Sequence, residues 1–304
     1  MKIRQSMLKL PRKFVVIIFG GLLLAQNATA QVTPSHVFQV TDAIRLELEL
    51  MHEANFSTPS AQVYTAEGKS PRHVIQKARE VLLKVQALKQ LKGVATTALK
   101  PIEVRVVTPA HVKEAVSNLL EQIQSLRGDF DVEDTAAAAA LPAGKTPSDV
   151  YQNLMLVGHL IDELGIPNVV PNDVHRLGRA IVMEVERINA HLGVDNSYTI
   201  SPSAGKLPSA VFEETRATLA SLRAAATKHG WNIAGGVVSL PDVQGRVTPG
   251  NVLDAMNNVL ADLAAIKNLL GLTAPVELPP LISGQTPSDV FDQIAHANAL
   301  VQRM

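Results

Sequence analysis

The sequence predicts an all-α protein: a tandem duplication of a four-helix unit, whose eight helices are joined by long, partly extended linkers. Three observations predict this class. A P-x-x-V motif recurs eight times, apolar residues follow the motifs at heptad spacing, and TPSDVY at 146–151 returns as TPSDVF at 286–291. These two near-copies occupy the same rank, the fourth, in the two predicted units.

Residues 1–30 have the layout of an export signal. An apolar stretch over 14–25 precedes the small-x-small pattern that ends at Ala30. We expect cleavage after Ala30 and export by the general secretory route to a bacterial periplasm or beyond. An uncleaved membrane anchor is the alternative, although a membrane span needs about 20 apolar residues. The basic start comprises Lys2, Arg4, Lys9, Arg12 and Lys13.

The composition of the mature chain excludes several function classes. Removing the leader turns 28 basic and 28 acidic residues into 23 and 28, a net charge of about −5. Because no Lys/Arg stripe is present, we expect no nucleic-acid partner. No later apolar run is long enough for a membrane span. Cysteine is absent, which excludes disulfides and thiol catalysis.

The eight motifs divide into two sets of four. Within a set, the prolines recur with a period of about 40 residues, whereas a clearly shorter interval separates the last proline of the first set from the first proline of the second. The offset between corresponding prolines is the same in the first and second repeats, and it is the same in the third and fourth. The predicted units are therefore residues 31–168 and 169–304. The motif prolines are Pro34, Pro71, Pro109, Pro147, Pro171, Pro208, Pro249 and Pro287.

Each motif is a helix start. Six of the prolines follow Thr or Ser, whose hydroxyl can accept a bond from a first-turn amide, and Pro at the first helical position loses no hydrogen bond. Val170 and Leu207 replace the capping residue in the fifth and sixth repeats, so we expect those two starts to fray more easily.

Apolar residues behind the motifs predict the core of a helical bundle. They follow the repeat valine at alternating steps of four and three, which is the spacing of a helix that packs against other helices. The third repeat supplies Val112, Val116, Leu119, Ile123 and Leu126.

The linkers leave the helix directions open. Several exceed the two to eight residues that usually join antiparallel helices. Extended chain rises about 3.3 Å per residue against 1.5 Å in a helix, so a linker can return to the end where its helix began. Parallel helices within each unit are one possibility, and antiparallel neighbours are the other. The short join GIPNVVP at 165–171 predicts that the fourth and fifth helices pair and that the units meet there.

One candidate site is positional. His36, His73 and His111 stand immediately before the repeat valine in the first three repeats, and Asp149 takes that place in the fourth. If these helices are parallel, three imidazoles and a carboxylate could gather as a tetrahedral metal site. The alternative is that these side chains are solvated or cap their helices, with no cofactor bound.

Two function classes remain. The chain lacks nucleotide-binding, zinc-protease and nucleophile-elbow motifs and offers no Ser or Thr with a matched base. We therefore expect a non-catalytic helical-repeat protein of the bacterial envelope that binds a protein partner, forms a scaffold or self-associates. The alternative is a periplasmic small-ligand or metal-binding protein, possibly an enzyme, with a pocket between helices or at the histidines. We expect any functional surface on the linkers or where the two units meet.

Overall fold

A computed structural model describes residues 31–304, and the predicted export signal lies outside the described residues. The fold prediction is confirmed at the level of class, because residues 31–304 contain eight α-helices and no strand. Every helix begins at a motif proline, as predicted. The helices are α1 (Pro34–Ala54), α2 (Pro71–Leu91), α3 (Pro109–Gln124), α4 (Pro147–Glu163), α5 (Pro171–Leu192), α6 (Pro208–His229), α7 (Pro249–Leu269) and α8 (Pro287–Val301).

The repeat valines anchor the core. All eight are at most 2% exposed, from Val37 to Val290. The rest of the predicted seam of α3 is also fully buried. Burial of a valine side chain contributes about 1.5–3 kcal/mol relative to exposure. The heptad spacing therefore identified the inward face of the helices.

The helices pack as two sets, which we name the first bundle (α1–α4) and the second bundle (α5–α8). Within the first, α1 and α2 each pack on α3 and α4; within the second, α5 and α6 each pack on α7 and α8. The apolar core of each bundle forms a separate cluster. Each helix thus closes its apolar face mainly within its own bundle.

Helices of the first bundle run parallel. The prolines and valines of all four first turns line one small cavity of about 10 Å³. Four helices that begin at the same end must run in the same direction. In the second bundle, residues at similar distances from the starts of their helices contact one another, as in the hydrogen bond from Ser221 of α6 to Asn298 of α8. These helices therefore also run in the same direction. The direction that the linker lengths left open is therefore parallel.

The bundles meet through α2 and α7, which pack on each other. One isolated bridge also pairs Ile102 with Val276, with N–H to O distances of 2.9 and 2.8 Å. The expectation that the fourth and fifth helices pair is wrong, because α4 and α5 do not form a packed pair. A short join limits how far apart two helix ends can lie, but complementary side chains decide which faces meet.

None of the helices among residues 31–304 combines the length and apolar character that a membrane crossing requires.

Candidate ligand-binding cavity

The four residues of the predicted metal site are helix caps. The N–H of Thr33 donates to Nδ1 of His36 at 3.2 Å, and His73 and His111 accept the corresponding bond in α2 and α3. Asp149 accepts it in α4 at 2.7 Å. Each side chain therefore satisfies an amide just before its own helix.

The need to accept this hydrogen bond explains which residue types occur at the third position of each helix. In the second bundle the acceptors are Asp173, Asn251 and Asp289, at 3.1, 2.9 and 2.7 Å. Only α6, with Ala210 there, has no such side chain. A neutral imidazole Nδ1, an amide oxygen and a carboxylate can all accept one hydrogen bond. The histidines therefore belong to a series of capping residues, which the second bundle continues with Asp and Asn.

Residues 31–304 contain no group of three or more His, Asp or Glu side chains placed to hold a metal ion. The structure brings the four predicted residues to one end of the bundle but does not gather them as ligands. A metal at His36, His73, His111 and Asp149 stays a prediction.

His73 differs from the other capping histidines because its second nitrogen reaches the other bundle. Its Nε2 lies 3.0 Å from Oδ1 of Asp262, which is fully buried. Arg72 donates to the same carboxylate at 2.8 Å, and the N–H of Val238 donates to Oδ2 at 3.0 Å. Burial opposes the charge of Asp262, but His73 and Arg72 outweigh it and lower the carboxyl pKa.

A second group of charges lies beside the first on the α2–α7 interface. Lys77 contacts Glu80 at 2.8 Å and Asp254 at 3.0 Å. The Tyr151 hydroxyl donates to Asp254 at 2.6 Å. Burial lowers the pKa of Lys69 to about 8, although its Nζ still donates to Asn258. We name the two groups together the interface network.

The interface network is balanced. Its cations are Lys69, Arg72 and Lys77, and its carboxylates are Glu80, Asp254 and Asp262. Buried charges persist in proteins when they are paired and hydrogen-bonded. Arg72, Lys77 and the three carboxylates form ion pairs, and Lys69 donates a hydrogen bond to the neutral side chain of Asn258. The positive and negative charges of the network therefore balance, and no charge is left to pair with a ligand.

A cavity of about 820 Å³ lies beside the interface network, between the bundles. Its walls are α2, α3, α7 and the linker residues 97–107 and 232–235. This volume falls in the range of small-molecule sites, roughly 300–1,000 Å³. Apolar lining residues include Ile75, Leu82, Ile102, Val107, Ile233 and Leu269.

Two polar side chains of α2 line the cavity without partners. Gln76 is 4% exposed, and its Oε1 has no hydrogen bond within residues 31–304. Arg79 is half-buried, and no described residue pairs with its guanidinium. Burial lowers the pKa of Arg79, and repulsion from Arg176 adds to the effect. An apolar cavity with a few convergent polar groups is the usual form of a ligand site.

Sequence reasoning missed both residues, although a signal existed. Gln76 and Arg79 are the sixth and ninth residues of α2, and Glu213 and Arg216 hold those places in α6. The change from Glu to Gln three residues before an arginine is visible in an alignment of the two halves. Its consequence depends on which face of α2 meets the other bundle, and the sequence does not tell this.

The chain matches no family model, no curated protein and no solved structure. The site has therefore to be interpreted from its own geometry.

Proposed function

We propose that this chain is an exported, non-catalytic binding protein that holds a small molecule in the cavity between its two bundles. The observation that carries this proposal is the cavity of about 820 Å³, mainly apolar in its lining and with the guanidinium of Arg79 unpaired. Leaving a buried polar group without a partner costs about 1–3 kcal/mol. A ligand whose polar group pairs with Arg79 would offset the cost of burying that guanidinium.

We further propose that the bundles are copies, with units at 31–168 and 169–304 joined by long, partly extended linkers. Contacts of the first bundle recur in the second at the offsets that relate the motif prolines. Glu47 pairs with Arg127 as Glu184 pairs with Lys267. This repetition supports the duplication because equivalent contacts occur at corresponding positions of the two bundles, although the residue types are not always the same.

Three other contacts follow the same offsets. The bond from His52 Nε2 to the Leu160 carbonyl corresponds to the bond from Asn189 to the Leu300 carbonyl. The N–H of Lys69 donates to Ser148 as that of Lys206 donates to Ser288. Both lysine side chains also lie over aromatic rings, Tyr151 at 4.6 Å and Phe291 at 4.0 Å.

Binding of a neutral apolar probe tests the proposed function. Trp231 is the one tryptophan of the sequence and precedes the cavity residues 232–235, so energy transfer from it reports occupancy. We expect N-phenyl-1-naphthylamine to bind the mature chain and to quench Trp231. Ala265→Phe should weaken this binding because Ala265 lines the cavity. Ala224→Phe, at an exposed position of α6, is the matched control.

Two outcomes would contradict the proposal. The probe could fail to bind at any concentration below its solubility limit. Alternatively, Ala265→Phe and Ala224→Phe could bind the probe as well as the parent chain does, which would place the probe elsewhere.

An enzyme is the second candidate because Ser70, which lines the cavity, begins a Ser–His–Asp chain. Oγ of Ser70 lies 3.0 Å from Nδ1 of His73, whose Nε2 lies 3.0 Å from Asp262. Nucleophile, base and orienting carboxylate follow one another in this order in serine hydrolases. However, Nδ1 also accepts the N–H of Ser70 at 3.0 Å, and Thr33 contacts His36 in the same way without an acid. We therefore favour the cap over catalysis.

A fluorophosphonate probe separates the two candidates, because it labels activated serines covalently. We expect no labelling of the mature chain. Labelling at Ser70 that disappears in Ser70→Ala and in Asp262→Asn would overturn the non-catalytic proposal. Hydrolysis of a carboxyl ester by the parent chain, and not by these variants, would do the same.

Export and partners belong to the same proposal. Mass spectrometry of the exported chain should show Gln31 as the first residue, and a mass that includes residues 14–25 would contradict cleavage. Self-association and a protein partner stay predictions, and sedimentation equilibrium of the mature chain tests the first of them.

A further inference from the structure

Arg79 is a cation without a counterion on the wall of the cavity. Its guanidinium is half-buried and has no carboxylate partner among residues 31–304. Burial, and then repulsion from another cation, Arg176, lower the pKa of Arg79; the Nε of Arg176 donates to the carbonyl of Pro279 at 2.6 Å. Removing a charge from water without a partner is costly, so an unpaired arginine in a cavity needs an explanation.

The second bundle shows what an arginine at this place does when it has partners. Arg216 is the ninth residue of α6, as Arg79 is of α2. It pairs with Glu213 at 3.2 Å and with Asp242 at 2.8 Å. In α2 the place of Glu213 is held by Gln76. The first bundle keeps the cation and lacks the carboxylate.

The remaining charges of the cavity lining do not neutralise Arg79. Arg72 is paired with Asp262, and Arg105 is paired with Glu103 at 3.1 Å. His111 is occupied as a helix cap. Lys100 and Glu114 both lie at exposed positions of the lining and offset one another. One positive charge, that of Arg79, is left over.

We propose that the cavity takes an amphiphilic organic anion, whose carboxylate or other oxyanion group pairs with Arg79 and whose apolar body lies against α2, α3 and α7. This inference rests on the proposed binding function of the cavity. Arginine presents N–H groups in a planar fork that matches two oxygens of an oxyanion. Ile75, Leu82 and Leu269 offer the apolar surface that the rest of such a molecule needs.

Two probes of matched shape test the inference. 1-Anilinonaphthalene-8-sulfonate differs from N-phenyl-1-naphthylamine by one sulfonate group. We expect the sulfonate to bind the mature chain more tightly. Because a hydrogen bond to a charged group contributes about 1.5–3 kcal/mol, Arg79→Gln should weaken the sulfonate about tenfold to hundredfold. The affinity of the neutral probe should be the same for the parent chain and Arg79→Gln within about a factor of two, because this probe has no anionic group to pair with Arg79.

Two further variants complete the design. Arg216→Gln removes the corresponding arginine of the second bundle and should leave both affinities unchanged. Gln76→Glu recreates in α2 the spacing of Glu213 and Arg216. The new carboxylate should pair with Arg79 and weaken the binding of the sulfonate probe, but not that of the neutral probe. Gln76→Glu retains Arg79 and nearly retains the size of residue 76, so it tests the charge if Arg79→Gln does not fold.

The outcomes separate this inference from the proposed function. If the neutral probe binds the cavity but the sulfonate binds no more tightly, or if neither variant weakens the sulfonate, the anion inference is overturned and the binding function stands. If neither probe binds, both are overturned. Displacement of the bound sulfonate by decanoate or by decyl phosphate, but not by 1-decanol, is expected and identifies which oxyanion is preferred; equal displacement by 1-decanol would overturn the inference.

Discussion

The third residue of each helix has one role and several identities. In seven helices this side chain accepts the N–H of the residue that precedes the motif proline, at 2.7 to 3.2 Å. Histidine, aspartate and asparagine serve equally because each offers a lone pair at the right reach. Three histidines in register therefore need no metal to explain them.

His73 should make stability depend on pH. Burial lowers its pKa, and the attraction of Asp262 reverses this only in part. A group with a lowered folded pKa stabilises the protein above its unfolded pKa, about 6.5 for His, and that stabilisation is lost as pH falls. We expect the free energy of unfolding to fall below pH 6.5 by up to about 1.4 kcal/mol per pH unit from this group. Urea denaturation at pH 7.5, 6.5 and 5.5 measures it.

His73→Asn should remove much of this pH dependence while keeping a capping acceptor. The matched control is His111→Asn, which changes a cap of the same kind outside the interface network. Equal pH dependence in the parent chain and His73→Asn would show that another group is responsible.

At the scale of the element, α6 has the least supported start. Leu207 precedes its motif proline, is 65% exposed and supplies no hydroxyl, and Ala210 supplies no acceptor. Thr286 and Asp289 of α8 make both reciprocal bonds, at 3.4 and 2.7 Å. The difference predicts that α6 frays before α8 at its first turn.

Installing the missing cap should stabilise α6. The double change Leu207→Thr and Ala210→Asp recreates the pattern of α8, and we expect a gain of about 0.5–2 kcal/mol. Hydrogen exchange of the amides of 210–212 should slow accordingly. The reverse change in α8, Thr286→Leu with Asp289→Ala, should cost a similar amount. Unchanged exchange in both variants would mean that the caps do not limit fraying.

Patterns within one helix predicted this fold better than relations between helices. Every motif proline starts a helix, and every repeat valine is buried, because first-turn chemistry and heptad spacing are local. The contact of α2 with α7 was missed, since charges such as Lys77 and Asp254 resemble ordinary solvated residues until they are brought together. A pocket between helices was one of the predicted alternatives, but its lining residues were not identified, for the same reason.

At the scale of the whole molecule, Asp262 connects the two bundles. It belongs to α7, yet it accepts from Arg72 and His73 of α2 and from the linker N–H of Val238. Removal of one partner from a buried ion pair leaves an uncompensated charge and costs about 3–5 kcal/mol. The cavity wall depends on this contact too, because Arg72 also binds the carbonyls of Ala234 and Gly236.

Asp262→Ala should therefore lower the free energy of unfolding by about 3–5 kcal/mol. The control is Asp242→Ala, which removes an exposed partner of Arg216 and should have no measurable effect. Differential scanning calorimetry compares the two. Equal melting temperatures for both variants would contradict a stabilising role for the interface network.

The parallel arrangement of the first bundle has a consequence for how the chain folds. Its core joins helices that are distant in sequence: Asn153 of α4 donates to Thr41 of α1 across 112 residues. Chains dominated by such non-local contacts fold slowly, because the entropy of closing long loops is lost before the contacts form. A chain is synthesised from its amino terminus, so the apolar face of α1 stays uncovered until residues 147–163 have been made. Folding of this bundle therefore begins late, and its uncovered apolar surface is exposed to aggregation throughout synthesis.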